Sequence, residues 1–64
     1  MKNFSVKLKE LRERDKVSQK EIAEYLGITR SAYSNYEQGI REPSLECFQK
    51  ICQFFDVKAE YFWE

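Results

Sequence analysis

Apolar residues recur along this chain with the period of a helix, and the recurrences break at residues that stop or start helices. Phe4, Leu8 and Leu11 stand at i, i+4 and i+7, which predicts a first amphipathic helix from Ser5 to Arg14 or Asp15. The charged pair Asp15-Lys16 interrupts the pattern, and Val17 behind it is placed to staple onto Ile22. Ile22, Ala23 and Leu26 form the apolar face of a second helix over Gln19–Leu26,. A third is predicted over Arg30–Gln38, ended by Gly39,. Pro43 cannot continue a helix, but Ser44 behind it is a good N-cap, with Glu46 at the positive end of the helix that follows,. Leu45, Phe48, Ile51, Cys52 and Phe55 give that fourth helix a buried face ending near Phe55,. Val57 to Trp63 adds at most a short fifth turn or helix. Period-two alternation never persists between turn residues, so no strand is expected. The pattern is that of an all-α fold, a compact bundle of four to five short helices forming one domain over residues 1–64.

Helix-end signals crowd together between the second and third helices. Ser18 and Glu21 are spaced as a capping box, which satisfies two unpaired N–H groups at a helix start. Gly27 can take the left-handed conformation just past a helix end, and Thr29 is an N-cap two residues later,. One helix therefore stops and another starts within about three residues. This predicts a helix-turn-helix over about residues 18–38, projecting the third helix to where it can enter a groove.

At about 100° per residue, Arg30, Ser34, Gln38, Ser31 and Asn35 fall within one arc of roughly 140° on that helix, while Ala32, Tyr36 and Tyr33 occupy the opposite side,. Arginine donates two bonds to guanine, asparagine pairs with adenine, and serine serves either, so this face has the inventory for major-groove readout. An ordinary solvated face can have the same composition. The tight, capped turn in front of it favours the reading face.

Composition narrows the picture further. A chain of 64 residues buries only about 60% of its unfolded surface, which leaves little for a deep pocket. Eleven Lys and Arg cancel eleven Asp and Glu, whereas nucleic-acid binders are often basic. The charge is unevenly spread: residues 1–20 carry net +4, residues 21–41 net −1 and residues 42–64 net −3. Such a bipolar molecule could turn its positive end toward phosphates, although ordinary surface solvation accounts for the split equally well. Cys47 and Cys52 would lie about 8 to 9 Å apart on a helix, beyond the roughly 7 Å limit for a disulfide, and about 140° apart around its axis. They are expected as reduced thiols, Cys52 as a small core residue and Cys47 partly exposed. No apolar run suits a leader or a membrane span, so a soluble, cytoplasmic chain is expected.

These residues together resemble the helix-turn-helix family of phage lambda-type repressors and Cro, the XRE family. Leu8, Leu11 and Arg12 match in the first helix, Ser18-Gln19, Glu21-Ile22-Ala23 and Leu26-Gly27-Ile28-Thr29 through the motif, and Ser34, Tyr36, Glu37 and Gly39 after it. Arg41, Pro43-Ser44-Leu45, Phe48, Ile51 and Phe55 extend the match. The resemblance implies a lambda repressor-like DNA-binding domain. In it Gln19 contacts a backbone phosphate or a nearby base, Arg30, Ser31, Ser34 and Asn35 lie in or beside the major groove, and Arg41 meets phosphate. It also implies an ion bridge between Arg12 and Glu37 that fixes the angle of the reading helix. Glu37 stands on the border between the apolar and polar arcs, which suits that role; two independent surface charges would contribute little. Lys58 departs from the family's usual Ser or Thr cap, so a short or distorted last helix is expected. No ligand-sensing or self-cleaving domain is expected beyond Glu64, and hence no effector control.

Tyr61, Phe62 and Trp63 form a terminal aromatic cluster. The resemblance implies that Phe62 closes the core while Trp63 or Tyr61 packs across a twofold axis. That homodimer would set two reading helices about 34 Å apart on a palindromic operator. Alternatively all three rings close over their own core. The leading expectation is a sequence-specific transcriptional regulator, most simply a repressor, with double-stranded DNA as its partner. The alternative is a protein-interaction module such as the antitoxin of a toxin–antitoxin pair, to be distinguished by copurification with a small basic protein. An enzyme is not expected: the chain has no histidine, no metal-ligand spacing and no glycine-rich phosphate loop,. No cofactor, metal or membrane partner is expected either.

Overall fold

A computed structural model describes residues 3–63. Met1, Lys2 and Glu64, which belong to the single domain expected over 1–64, lie outside the described residues. Four α-helices follow one another, α1 over Phe4–Arg14, α2 over Gln19–Leu26, α3 over Arg30–Glu37 and α4 over Leu45–Phe55, and a 3-10 helix closes the chain over Ala59–Trp63. Among the described residues there is no strand, and no helix is long and apolar enough to cross a membrane.

Local chemistry sets most helix ends. Ser18 begins α2 as a reciprocal capping box, accepting from the Glu21 N–H at 3.0 Å while the Glu21 carboxylate accepts from the Ser18 N–H at 3.1 Å,. Thr29 Oγ1 accepts from the Ala32 N–H at 3.1 Å to start α3, and Ser44 Oγ accepts from the Cys47 N–H at 3.2 Å to start α4,. Gly27, at φ 73°, ends α2 in the left-handed conformation, and the Ile28 N–H reaches back to the Ala23 carbonyl at 3.1 Å,. Two turns use a costlier residue for the same bend: Lys16 and Asp56 both sit at φ 56°, where a side chain crowds the backbone.

The apolar faces meet in one core. Leu8, Leu11, Ile22, Tyr33 and Ile51 are at most 1% exposed, and Phe4, Ala23, Leu26, Phe48, Phe55 and Phe62 surround them. Phe4, Phe48 and Phe62 form a ring cluster with centroids 5.0 to 5.8 Å apart, which ties the 3-10 helix to α1 and α4. Val17 packs against the same core.

Four expectations need correction. Leu45 is 73% exposed rather than buried, because it is the first residue of α4 and the core contacts of that helix begin a turn later, at Phe48. Cys52 is half-buried against the core rather than inside it. Helix α1 starts at Phe4 rather than Ser5, and α3 ends at Glu37 rather than Gln38. The last helix is a five-residue 3-10 turn, in keeping with the missing cap at Lys58.

Candidate nucleic-acid interface

The turn at Gly27 delivers α3 to the surface, and two residues on its inner side hold it there. Tyr33 is fully buried, and its hydroxyl donates to Glu37 Oε2 at 2.6 Å, one turn along the same helix. Glu37 is the hub of a network joining three helices. Arg12 of α1 donates to it twice, from Nε at 2.5 Å and from Nη2 at 3.2 Å, and Gln19 Nε2 of α2 donates to Glu37 Oε1 at 3.1 Å. The remaining Arg12 fork donates to the Val17 carbonyl at 3.0 Å, so the guanidinium also fixes the α1–α2 turn. The Arg12 and Glu37 side chains are 16% and 5% exposed, which makes this an interior pair rather than a surface one.

Burial alone would push the Glu37 carboxyl up, but the hydrogen bonds from Arg12, Tyr33 and Gln19, with the Arg12 charge, outweigh it and hold the group below its ordinary range,. Burial, then the Glu37 carboxylate beside it, raises the Tyr33 hydroxyl far above a normal tyrosine. The hydrogen bond from Arg12 to Glu37 raises the guanidinium against a smaller cost of burial.

The outer side of α3 carries the predicted reading residues. Arg30 and Ser31 are exposed, and Ser34 and Asn35 are half-buried on the flank. Ser34 Oγ accepts from Gln38 Nε2 at 2.8 Å, which keeps Gln38 on the polar face where the helical arc places it. The Asn35 carbonyl accepts from the N–H groups of Ile40 and Arg41 at 3.0 and 3.3 Å, which folds the next loop back on α3 and leaves the Arg41 side chain exposed.

Gln19 is half-buried between Glu37 and Arg30, whose Nε approaches Gln19 Oε1 at 3.5 Å. Tyr61 is likewise engaged within the chain: Lys7 Nζ donates to its carbonyl at 3.0 Å and lies 4.8 Å above its ring. Trp63 is 63% exposed and touches Phe48 edge-on at 5.9 Å.

A capped turn, an inward clamp and an outward polar helix define a helix-turn-helix DNA-binding domain. Residues 8–62 match the helix-turn-helix family model, and the chain belongs to this XRE-type family. It is 43% identical over 58 residues to the uncharacterized HTH-type transcriptional regulator YqaE of Bacillus subtilis, covering 91% of this chain and 50% of that protein. It is 44% identical over 64 residues to the HTH-type transcriptional regulator YgzD of the same organism, covering 98% of this chain and 92% of that protein. Similarity to the cryptic phage CTXphi transcriptional repressor RstR of Vibrio cholerae is 35% over 54 residues, 84% of this chain and 49% of that protein. Apart from YgzD, the chain spans about half the length of these curated relatives.

Proposed function

We propose that this domain binds double-stranded DNA sequence-specifically and thereby regulates transcription, acting as a repressor by occupying its operator. The observation that carries this reading is the division of α3 into two sides. Tyr33 and Glu37 lock one side to α1 and α2, while Arg30 and Ser31 are exposed on the other. Arg30, Ser31, Ser34 and Asn35 select bases in the major groove, and Arg41 holds phosphate beside them. Gln19 retains one amide hydrogen beyond the bond to Glu37 and can offer it to the backbone.

A homodimer on a palindromic site completes the proposal. Exposed Trp63, rather than Tyr61, is the aromatic available for a twofold contact. The site of action is the cytoplasm, where the DNA is. Selection from randomised duplexes with the purified protein tests the reading: an enriched inverted repeat is expected, and no enrichment over random sequence rejects it. Sedimentation with and without the enriched duplex tests the dimer, and a monomer in both conditions removes it.

A further inference from the structure

The 3-10 helix over Ala59–Trp63 is held from outside. Lys58 stands in front of it and has no acceptor with which to cap its start. At the other end, the Tyr61 carbonyl is among those that a helix terminus leaves without an internal partner. It accepts from Lys7 Nζ of α1 at 3.0 Å, and the same ammonium lies 4.8 Å from the centroid of the Tyr61 ring. A cation at a helix C-terminus and a cation over an aromatic face both attract, so one side chain grips this residue twice. The next residue, Phe62, is 1% exposed between Phe4 and Phe48, which leaves Trp63 outside, edge-on to Phe48 at 5.9 Å.

Trp63 borders a face without charge. At about 100° per residue, Phe48, Cys52, Leu45 and Gln49 fall within one arc of roughly 100° on α4, with Glu46 and Lys50 outside it,. Leu45 on that arc is 73% exposed. A twofold contact sets a patch against its own copy, so a neutral apolar face meets itself without like-charge repulsion. We propose that Lys7 is the latch of the 3-10 helix and thereby the positioning residue for this face, on which a second copy docks. A standard interface takes about 800 Å² from each partner, roughly a fifth of the 4412 Å² that this domain exposes,. A tryptophan covers at most about 250 Å², so Trp63 and one arc of α4 fall short of that. The pairing is therefore weak in free solution and is completed on DNA. The inference rests on the twofold reading proposed above.

Equilibrium binding of the wild type, K7M, K7R and W63A tests it, on duplexes carrying one half-site or the inverted repeat. K7M keeps the length of the side chain and loses the ammonium, with K7Q in its place if K7M does not fold. It is expected to leave half-site affinity within about twofold and to lower cooperativity on the inverted repeat by about tenfold, as W63A does. K7R, which can donate to the carbonyl and stack on the ring, restores it. Loss of half-site and inverted-repeat affinity in equal proportion, or full cooperativity in K7M where W63A has none, overturns the positioning role. A second measurement needs no DNA. Trp63 is the single tryptophan, and its near-ultraviolet circular dichroism and fluorescence anisotropy report how firmly Phe48 holds it. Both should fall in K7M but not in K7R, at a temperature below each variant's cooperative melt. Wild-type signals in K7M overturn the latch, whereas a Lys7-dependent signal with no cooperativity in the wild type rejects only the twofold reading.

Discussion

Replacing Arg12 with alanine removes two hydrogen bonds to Glu37 and one to the Val17 carbonyl in a single step. It also leaves a carboxylate whose side chain is 5% exposed without its counter-charge. Breaking a buried pair by deleting one partner costs about 3–5 kcal/mol. Here Arg12 is 16% exposed, and Tyr33 and Gln19 still donate to Glu37, so the low end, about 3 kcal/mol, is the expected loss. A domain of this length has roughly 3–10 kcal/mol in total, and each kcal/mol moves its melting temperature by about 4–8 °C. A fall of about 12 °C or more at pH 7 follows.

The pH dependence separates this account from loss of packing. In the wild type the folded-state pKa of Glu37 is lowered, so its contribution is present above the ordinary carboxylate value and is lost as pH falls toward the folded-state value. Without Arg12 the folded-state pKa of Glu37 rises, because only Tyr33 and Gln19 then offset its burial. The stabilisation it gives at neutral pH shrinks, and less remains to be lost as pH falls. The gap in melting temperature between wild type and R12A, followed by circular dichroism, should therefore narrow from pH 7 to pH 4. E37Q in the R12A background should recover part of the loss at pH 7. An unchanged melting temperature in R12A, or a gap independent of pH, refutes the reasoning.

Other perturbations probe separate parts of the molecule. Tyr33→Phe should cost about 1.5–3 kcal/mol at pH 7 through one lost hydrogen bond to the Glu37 carboxylate,. Because the Tyr33 pKa is raised, its contribution is present below the ordinary tyrosine value and declines as pH rises through it, so chemical denaturation should show a shallower alkaline loss in this variant. Lys16→Gly, at φ 56°, should stabilise by about 0.5–1 kcal/mol in the same measurement. Leu45→Lys should change stability by no more than about 0.5 kcal/mol, whereas Phe48→Ala, at 6% exposure, should cost about 3 kcal/mol or more. Arg41→Ala should weaken binding to selected and random duplexes alike, and should reduce the slope of log affinity against log salt by about 0.9 if it holds one phosphate.

The sequence makes α2, α3 and their turn legible because the determinants are local. Ser18 and Glu21, Gly27, and Thr29 each act within four residues of where they stand. What escapes is tertiary. Leu45 satisfies the helical period, but periodicity cannot say that the core begins a turn beyond it. Lys16 carries no chemical signal for a left-handed turn, because geometry at the α1–α2 corner imposes it. Polar patterning marks Gln19 as a residue at a helix start, yet only the packing of α2 against α3 brings Glu37 beside it. Tyr33 is read as an apolar-side residue, and its hydroxyl could have been assigned a partner from the i, i+4 spacing to Glu37.

Net neutrality is compatible with a phosphate-binding surface because charge acts locally in salt. The molecule measures 27 × 23 × 19 Å along its principal axes, while screening at physiological ionic strength sets in over about 8 Å. Acidic residues farther from α3 than that length therefore weaken the field there less than a count of eleven against eleven implies. Glu37, the one acidic residue within α3, is committed to Arg12 and removed from solvent. Arg30, by contrast, donates among the described residues to the neutral amide of Gln19. The ion pair thus has an electrostatic consequence besides its mechanical one: it withdraws a negative charge from the reading helix and leaves the positive one exposed.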